Sequence, residues 1–398
     1  MNEPQLLHRI TDELGAATES SARHIIRLRE GSDCQQIARE LRQALGERHR
    51  HHQAVTALPL INAISCPIRS VRDVVSLPEV ASVEADLKPA AVHSFAPRLP
   101  SGGSLTGAVF SRGKPFIPWG VRHIQAPLAW RRTTGEQIRI GVIDTGIDYS
   151  HPDLQSSIGG GINLIQRHML PIDDNGHGTH ISGTIAASSK RGMTGVAPYA
   201  TIYAVKAFDH NGTSYVTDIV KGIEWCVRNK LHIINMSFGM KTRSAALEAA
   251  VKNAHREGIV IVASSGNEGK KGMIDYPARY ECTIAVGATT RDRHIAAFTN
   301  RGSKIDIYAP GDRIVSTWLN GKYHELSGTS MATSHVSGVI ALMMSLKPQL
   351  PLKPLLNSLQ KTSVPISVKA KKAGFLGEVN AIRAIKDMSR KKGVPKRR

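Results

Sequence analysis

Apolar residues in the first quarter of the chain recur at two spacings. The run HIIRLR at 24–29 is typical of a strand, and residues 35–45 then carry apolar side chains at helical intervals. The segment 54–67 is rich in Val, Leu and Ile, and a short helical segment separates it from a last strand at 80–86. This β-α-β-α-β order predicts a small α+β open-faced sandwich over residues 20–95.

From Ile138 onward, apolar runs alternate with segments of helical period. The runs are IRIGVID, TIYAVKAF, HIINMSF, IVIVASS and TIAVGA, and the helical segments include 180–187, 216–230 and 244–257. Such alternation is typical of a parallel sheet with helices on both faces. Residues 117–385 are therefore predicted to form one large α/β domain.

Three segments lie outside these two domains. Residues 1–19 are predicted to be an N-terminal extension, and residues 96–116, rich in Pro, Gly, Ser and Arg, to be an exposed linker open to cleavage. Residues 386–398 are a basic tail that contributes to the formal net charge of +20. This sign of charge favours anionic partners, but such blocks are usually solvated and no nucleic-acid-binding module is recognisable. No specific nucleic-acid binding is therefore expected.

Composition and length restrict the class of protein. The chain has 398 residues, of which 41% are hydrophobic and 21% are charged. These values are typical of a soluble globular protein, which we expect to be a monomer. No apolar run is long enough for a membrane span. The first residues, MNEPQLLHRI, lack the features of a secretory signal, which favours a cytosolic location; secretion by a non-standard route or from a longer precursor is the alternative. The 4 cysteines have no metal or redox spacing and are expected to be reduced or buried thiols.

Three polar residues stand at the ends of apolar elements, where chemistry gathers in α/β proteins. Asp144 ends the strand IRIGVID before a glycine turn, His177 lies among small residues in DNGHGTHISG, and Ser330 opens an apolar helix in SGTSMAT. Side chains at the carboxyl edge of a parallel sheet can meet. Each signal is weak alone, but a serine hydroxyl is a poor nucleophile until a base removes its proton, so the three residues together form a candidate catalytic constellation.

The segments VIDTGID, GHGTH and SGTSMAT resemble those of the subtilase family of serine proteases, and the resemblance spans roughly residues 116–385. It implies a subtilisin-like fold and a serine endopeptidase that hydrolyses proteins or peptides through an acyl-enzyme, without a cofactor for the chemistry. Asn267, in SSGNEG, would donate its side-chain amide to the oxyanion together with the backbone N–H of Ser330. A catalytically silent subtilase acting as a binding module, and a basic nucleic-acid or cell-wall protein, are the alternatives.

The same resemblance implies a substrate cleft between two extended segments, where a peptide would add as a strand. Asp275 falls where the family usually has a small residue at the base of the first pocket, and Glu268 falls near its rim. Two carboxylates predict a preference for Lys or Arg at P1; the alternative is that Asp275 serves as a cap or a salt-bridge partner. The residues that the resemblance assigns to substrate binding are Gly212, Val216, Ser237, Phe238, Gly239, Ser264, Gly266, Glu268 and Asp275.

Two metal positions are also implied by the resemblance. Asp153, in HPDL, corresponds to an aspartate ligand of a tight calcium site, but Pro115 stands where a glutamine ligand is expected and the loop from Ser188 is short and basic. Asp306 would bind a cation at a weaker site together with the backbone carbonyl groups of Ala278, Tyr280 and Thr283. A structural calcium ion is thus compatible with the sequence, with an incomplete tight site.

Residues 20–95 resemble the inhibitor I9-type propeptides that precede many subtilases, notably at VASVEAD, and the segment IPWGV at 117–121 resembles the start of a mature catalytic domain. The resemblance implies a zymogen whose own propeptide assists folding and blocks the cleft until the linker at 96–116 is cut. An intramolecular folding template is physically reasonable because parallel sheets depend on non-local contacts, which form slowly.

Overall fold

The structure, a computed structural model, describes residues 3–17, 21–46, 54–88, 90–91, 115–188, 192–366 and 375–389. Its first domain is a four-stranded antiparallel sheet with helices on one face, as expected of a small α+β sandwich. The region that the sequence predicted as one apolar segment forms two strands joined by a tight turn. The elements are α1 (Glu3–Ala16), β1 (Arg23–Leu28), α2 (Cys34–Leu45), β2 (Thr56–Leu58), β3 (Ala63–Pro67), α3 (Val71–Val75), β4 (Val80–Ala85) and β5 (Ala90–Ala91).

The sheet of the first domain, in the order β2-β3-β1-β4, is apolar on both faces. Neighbouring side chains of a strand point to opposite faces, so Ile26 packs with the helices of its own domain. Ile25 lies on the other face, in an apolar cluster shared with the second domain. The first domain is therefore packed against the second through one face of its sheet.

The prediction that residues 1–19 form a separate extension is wrong for the described part. Leu6, Ile10 and Leu14 repeat at helical intervals along α1 and are fully buried in the cluster that includes α2 and the sheet. The carboxylate of Glu13 accepts hydrogen bonds of 2.8 Å from the backbone N–H groups of Arg69 and Ser70, next to the start of α3. The helix α1 is thus an integral part of the first domain.

The second domain is built on a nine-stranded sheet in the order β16-β17-β13-β12-β11-β10-β6-β8-β7. All neighbouring pairs are parallel except β16 with β17. Its elements are α4 (Trp119–His123), α5 (Ala126–Ala129), β6 (Arg139–Asp144), β7 (Ile158–Asn163), α6 (His177–Ala186), β8 (Thr201–Lys206), β9 (Thr213–Ser214), α7 (Val216–Arg228), β10 (Ile233–Met236), α8 (Ala245–Arg256), β11 (Val260–Ser264), β12 (Thr283–Thr289), β13 (Ile307–Pro310), β14 (Ile314–Trp318), β15 (Lys322–Leu326), α9 (Thr329–Leu346), α10 (Leu352–Thr362), β16 (Val364–Pro365), β17 (Gly377–Glu378) and α11 (Ala381–Ser389).

Helices cover both faces of this sheet, as the sequence predicted. Ile140 and Val142 of β6 point into a cluster with α6 and α9, whereas Ile143 points into the cluster that contains α7 and α8. The strands β11 and β12 are buried along their whole length, which explains why their sequences are continuously apolar. The chain turns to opposite sides of the sheet after β6 and after β10, so a crevice opens at their carboxyl ends.

The boundaries of the second domain also differ from the prediction. Helix α11 continues past residue 385, because Asp387 accepts a 2.8 Å hydrogen bond from Ser358 and Met388 is largely buried. At the other end, Phe116 pairs with Met193 in an isolated β-bridge. Most of the predicted linker and the remainder of the predicted basic tail lie outside the described residues. By length and mean hydropathy α9 would suit a membrane span, but 89% of it is buried inside the protein, as in a core helix.

Ile10→Ala tests whether α1 belongs to the first domain. Removing this fully buried side chain should cost about 2–5 kcal/mol, so the β1 amides should exchange with deuterium at least roughly 30-fold faster than in the parent chain. The experiment uses full-length Ser330→Ala protein to avoid self-cleavage. Gln5→Ala, at an exposed position of the same helix, is the matched control and should leave the exchange unchanged. Equal exchange rates of the β1 amides in the two variants would show that α1 does not stabilise the first domain.

Candidate active site

The crevice at the carboxyl ends of β6 and β10 contains a buried acid–histidine pair. Asp144 is the last residue of β6 and His177 is the first of α6. The Oδ1 atom of Asp144 lies 2.7 Å from Nδ1 of His177, with exposed side-chain fractions of 0% and 2%. The backbone N–H of Thr145 donates a second hydrogen bond, of 2.8 Å, to the same oxygen. The carboxylate is thus placed to hold the imidazole in one orientation.

Glycines let the segments around His177 approach each other. Gly176, with φ of 105°, lies against the ring of Trp318, and Gly178 lies against the backbone oxygen of Gly146. A Cβ at either position would collide with these atoms. The small residues that the sequence shows around the histidine therefore serve the close packing of α6 on the loop after β6.

Ser330 is the second residue of α9, at the positive end of an 18-residue helix. Its hydroxyl donates a 2.8 Å hydrogen bond to the backbone oxygen of Ser237, which follows β10. The Nε2 atom of His177 is buried and has no hydrogen-bond partner in the described part of the chain. The nucleophile candidate and the base candidate therefore share one crevice, with the hydroxyl turned toward the cleft wall in this structure.

Asn267 lies beside the start of α9. Its Oδ1 accepts 2.8 Å hydrogen bonds from both the backbone N–H and the hydroxyl of Thr329, which fixes the orientation of the amide. The hydroxyl of Thr329 also accepts from the N–H of Gly266 at 3.3 Å. The amide oxygen thus accepts from α9, and Nδ2 is the donor end of this side chain.

Phe238 and Val216, which the resemblance assigns to substrate binding, have side chains in the core. Phe238 is 1% exposed and packs on Phe208 with ring centroids 4.9 Å apart. Val216 is likewise buried. Any contact of these two residues with a substrate would therefore be made by their backbone, and this role stays a prediction. The backbone oxygen of Phe238, which accepts from the Ser264 hydroxyl at 3.1 Å, ties the two sides of this pocket together.

Two carboxylates meet at the predicted base of the first pocket, and one lysine pairs with both. Asp275 is 2% exposed and lies directly against Gly239 and Gly266, where a Cβ on either glycine would meet its carboxylate. The ammonium of Lys241 contacts both Asp275 oxygens at 2.8 Å and Glu268 at 2.5 Å. Asp275 is therefore a salt-bridge partner, as the alternative stated, and its place at the base of a P1 pocket stays a prediction.

These contacts move the two carboxyl pKa values apart. Burial raises the pKa of Asp275 to about 6, against the lowering effect of the Lys241 ammonium. For Glu268, partial burial acts upward, but the hydrogen bonds from Lys241 and from Asn300 outweigh it and lower the pKa. Glu268 is thus the more persistent anion, and the charge of the pocket changes as Asp275 titrates.

The last strand of the first domain lies along the predicted second cleft wall. The short strand β5 pairs antiparallel with β9, in the register Ala90 with Ser214 and Ala91 with Thr213. Just before it, the backbone oxygen of Leu87 accepts a 3.2 Å hydrogen bond from the N–H of Val216. The backbone of the first domain therefore occupies the wall, beginning near Gly212, at which the sequence analysis expected a substrate strand.

Asp153, the predicted calcium ligand, is a buried acceptor of protein hydrogen bonds. Its Oδ2 accepts from the backbone N–H of Met193 at 2.7 Å and from the hydroxyl of Tyr323 at 2.6 Å. Within the described ranges, no group of three or more His, Cys, Asp or Glu side chains has the arrangement of a metal site. The calcium at Asp153 stays a prediction, and in this structure its carboxylate holds the loop after residue 191.

Asp306, the second predicted metal ligand, is paired with an internal cation. The ammonium of Lys304 lies 3.0 Å from Oδ2 of Asp306 and 3.2 Å from the backbone oxygen of Thr283, a carbonyl of the predicted weaker site. The hydroxyl of Thr283 donates to the backbone oxygen of Tyr280 at 2.7 Å, so another expected ligand is also engaged. The metal ion at Asp306 stays a prediction; in this structure the ammonium of Lys304 pairs with that carboxylate.

Fold and crevice together are those of a subtilisin-like serine protease. Residues 135–377 match the model of the subtilase family, peptidase S8. M-protease of Shouchella clausii is 44% identical over 249 residues, covering 62% of this chain and 64% of the relative. Subtilisin Savinase of Lederbergia lenta is 43% identical over 252 residues, covering 63% and 92%, and subtilisin E of Bacillus subtilis is 44% identical over 238 residues, covering 58% and 62%. The chain belongs to the subtilase family of serine endopeptidases, whose catalysis needs no cofactor.

The comparisons also correct the expected location. Related subtilisins are secreted, extracellular proteases, so the preference for the cytosol is wrong. The prediction rested on the composition of the first ten residues, which carries less weight than the relationship of the whole catalytic domain.

Lys304→Ala tests the internal cation. The change removes the ammonium between Asp306 and Thr283, so the variant should lose thermal stability and regain part of it from calcium. Calcium at about 100 times its Kd would contribute about 2.7 kcal/mol. The measurement is the Tm of the Ser330→Ala chain with and without the second substitution, in calcium and in EDTA. Lys252→Ala, at an exposed ion pair, is the control. An identical calcium response in all three proteins would refute the role of Lys304.

Proposed function

We propose that this protein is an endopeptidase that cleaves proteins or peptides as a monomer, with Asp144, His177 and Ser330 as its catalytic triad. The observation that carries the proposal is the buried 2.7 Å contact between Asp144 and His177 in the crevice that also contains the Ser330 hydroxyl. A buried carboxylate beside Nδ1 favours the tautomer in which Nε2 is free to accept a proton.

The geometry supports a specific sequence of roles. The Ser330 hydroxyl leaves the Ser237 oxygen, gives its proton to Nε2 of His177 and attacks the scissile carbonyl carbon. The C–O π electrons move to the carbonyl oxygen, which becomes an oxyanion beside the N-terminus of α9. Nδ2 of Asn267 and the backbone N–H of Ser330 donate to it. His177 then returns the proton to the leaving amine, and water releases the acyl group by the same route.

The contacts between the domains support a zymogen in which the first domain blocks the cleft. Glu84 accepts hydrogen bonds from the Ser244 hydroxyl at 2.6 Å and from the N–H of Ala245 at 2.8 Å, at the start of α8. Asp86 accepts from the N–H of Thr217 at 3.0 Å, at the start of α7. Carboxylates at helix N-termini are stabilising, because they satisfy free N–H groups and oppose the helix dipole.

The strand β5 supports a blocked cleft in this proposal. Its antiparallel pairing with β9 along the predicted cleft wall is of the kind that a bound peptide would make, and the predicted linker follows it in the sequence. We propose that cleavage within 96–116 frees the enzyme. In this proposal the first domain is the enzyme's own propeptide and inhibitor.

We also propose a preference for Lys or Arg at P1, which the positive charge of Lys241 weakens. Asp275 and Glu268 supply two negative charges at the pocket base, and Lys241 supplies one positive charge. One uncompensated anion remains, so a cationic P1 side chain would balance the site while an acidic one would be repelled. Lys241 therefore moderates the preference for basic residues.

Autoprocessing is the primary test of the catalytic proposal. Wild type should cut itself within 96–116 and react with a serine-directed phosphonate, whereas Ser330→Ala should do neither. Asn267→Ala should process and bind substrate but lose about 10²–10³ in kcat, the size known for the corresponding asparagine of subtilisin. Mass spectrometry and steady-state kinetics give the two readouts.

The catalytic proposal would be contradicted by a correctly folded wild type without activity. If wild type stays uncut and unlabelled while its fold matches that of Ser330→Ala by circular dichroism, the chain is a catalytically silent subtilase. Asn253→Ala serves as the matched control for the asparagine substitution, because this residue lies on α8 and contacts Leu60 rather than the crevice. Its kcat should stay within a factor of about two of wild type.

Peptides that differ only at P1 test the pocket. At pH 8 the ratio of kcat/KM for Lys over Leu should exceed one and should rise about tenfold in Lys241→Met, which removes the internal cation. The ratio should fall as the pH is lowered through about 6, because Asp275 is ionised above that value and neutral below it. Asp275→Asn should abolish this pH dependence.

Arg243→Met is the matched control, since it removes a cation two positions away that pairs with Glu248 and not with the pocket. It should leave the P1 ratio unchanged. Better cleavage after Leu than after Lys at pH 8, in both wild type and Lys241→Met, would refute the basic preference while leaving the catalytic proposal intact.

A further inference from the structure

A cavity of about 810 Å³ lies between the first domain and the protease domain, and Asp144, His177 and Ser330 are not among its lining residues. The first domain contributes β1, β2 and α2, and the protease domain contributes α7, β9 of the second cleft wall and the loops after β7 and β8. Basic side chains dominate the charged part of its lining. They are Arg23, Arg42, Lys88, Arg167, His168 and Lys221, against the acids Asp209 and Asp218.

Three of these cations have acidic partners. Arg23 lies 3.1 Å from Asp86, and Lys88 lies 2.6 Å from Asp209. The third pair, Lys221 with Asp218, is separated by 3.9 Å, at the limit of an ion pair. The cavity therefore has local charge compensation for three of its basic side chains.

The other two guanidinium groups, Arg42 and Arg167, form no ion pair with any described residue. Arg42 donates to the backbone oxygen of Val55 at 2.8 Å and 3.2 Å, which satisfies donors but adds no negative charge. Arg42 belongs to the first domain and Arg167 to the protease domain. An excess of two positive charges thus spans the interface.

The surroundings of the cavity disfavour the charged forms of its basic side chains. The pKa of Lys221 is lowered to about 8, mainly by burial and also by the nearby Arg167 and Arg23, against the raising effects of Asp218 and Asp86. Burial lowers the pKa of Arg42 as well, and Arg167 adds to this effect across the interface. Arg42 is half-buried and Arg167 is exposed, so solvent screens part of their repulsion, and an anion between them would remove the rest.

We propose that this cavity binds a polyvalent inorganic anion of the phosphate or pyrophosphate class, held between Arg42 of the first domain and Arg167 and Lys221 of the protease domain. Guanidinium forks match the spacing of two phosphate oxygens, and an ammonium adds a third contact. The hydroxyl of Thr56, which lies 3.5 Å from the Lys221 ammonium, offers a neutral donor beside it.

Anion binding at this position would strengthen the attachment of the first domain to the protease domain. Only the docked arrangement brings the two arginines to one cavity, so the anion binds the docked state and stabilises it by mass action. A zymogen with a bound anion should release its first domain more slowly. The cavity would thereby make activation sensitive to the surrounding concentration of phosphate compounds.

The binding test uses full-length Ser330→Ala protein and pyrophosphate at constant ionic strength, followed by titration calorimetry and Tm. Saturable binding and a rise in Tm are expected, with inorganic phosphate weaker and chloride without effect. The double variant Arg42→Gln, Arg167→Gln should bind pyrophosphate at least about tenfold more weakly. The matched control is Arg122→Gln, Arg291→Gln, which removes two arginines lining a different surface cavity.

The proposal is overturned if pyrophosphate shows no saturable binding, or if both double variants bind it as the parent does. Because this arm uses an inactive chain, its result does not depend on the proposed protease activity. A second arm follows release of the first domain from wild type after processing. Pyrophosphate should slow release in wild type and in the Arg122, Arg291 variant but not in the Arg42, Arg167 variant; an equal effect in all three would also overturn it.

Discussion

The contact between Asp144 and His177 is the constraint on which the protease domain depends. It joins the carboxyl end of a central strand to the first residue of a helix, and both side chains are removed from water. A buried carboxylate is costly without close partners, so β6, α6 and the glycines between them must be held in one arrangement. The parallel sheet provides it, since the chain departs to opposite sides after β6 and β10 and leaves the crevice where Ser330 lies.

Lysines of the chain set much of the electrostatics around this framework. Lys241 pairs with both carboxylates of the predicted P1 pocket, Lys304 pairs with Asp306, and Lys206 donates to Asp174 and to the Thr145 backbone oxygen at 2.6 Å each. A lysine is a fixed member of the chain, so its charge is present whatever ions the solution holds. The positive composition of the protein is thus partly structural, and it reaches the substrate pocket as well as the surface.

The positions of Asp144, His177 and Ser330 could be predicted because each lies in a short local motif at the end of an apolar element. The role of α1 was missed even though Leu6, Ile10 and Leu14 repeat at helical intervals; that local signal was available. Lys241 and Lys304 gave no such signal. Lys241 meets Asp275 from 34 positions away, so the charge of the pocket depends on tertiary structure that local patterns do not contain. Phe238 shows a different limit of local motifs. A motif can predict that a residue lies at the cleft, but it does not indicate whether the side chain or the backbone faces the cleft.

The interface between the two domains contains both attractive and repulsive electrostatic contacts. Glu84 and Asp86 place negative charge at the starts of α8 and α7, and each such cap contributes about 0.5–2 kcal/mol. Arg42 and Arg167 oppose this attraction from the adjacent cavity. In the proposed zymogen, the first domain must bind firmly during folding and yet leave after the linker is cut. An interface held by an apolar sheet face and two caps, and weakened by one pair of like charges, suits both demands. A counter-ion that enters the cavity would remove the repulsion and leave the caps and the apolar contact in place.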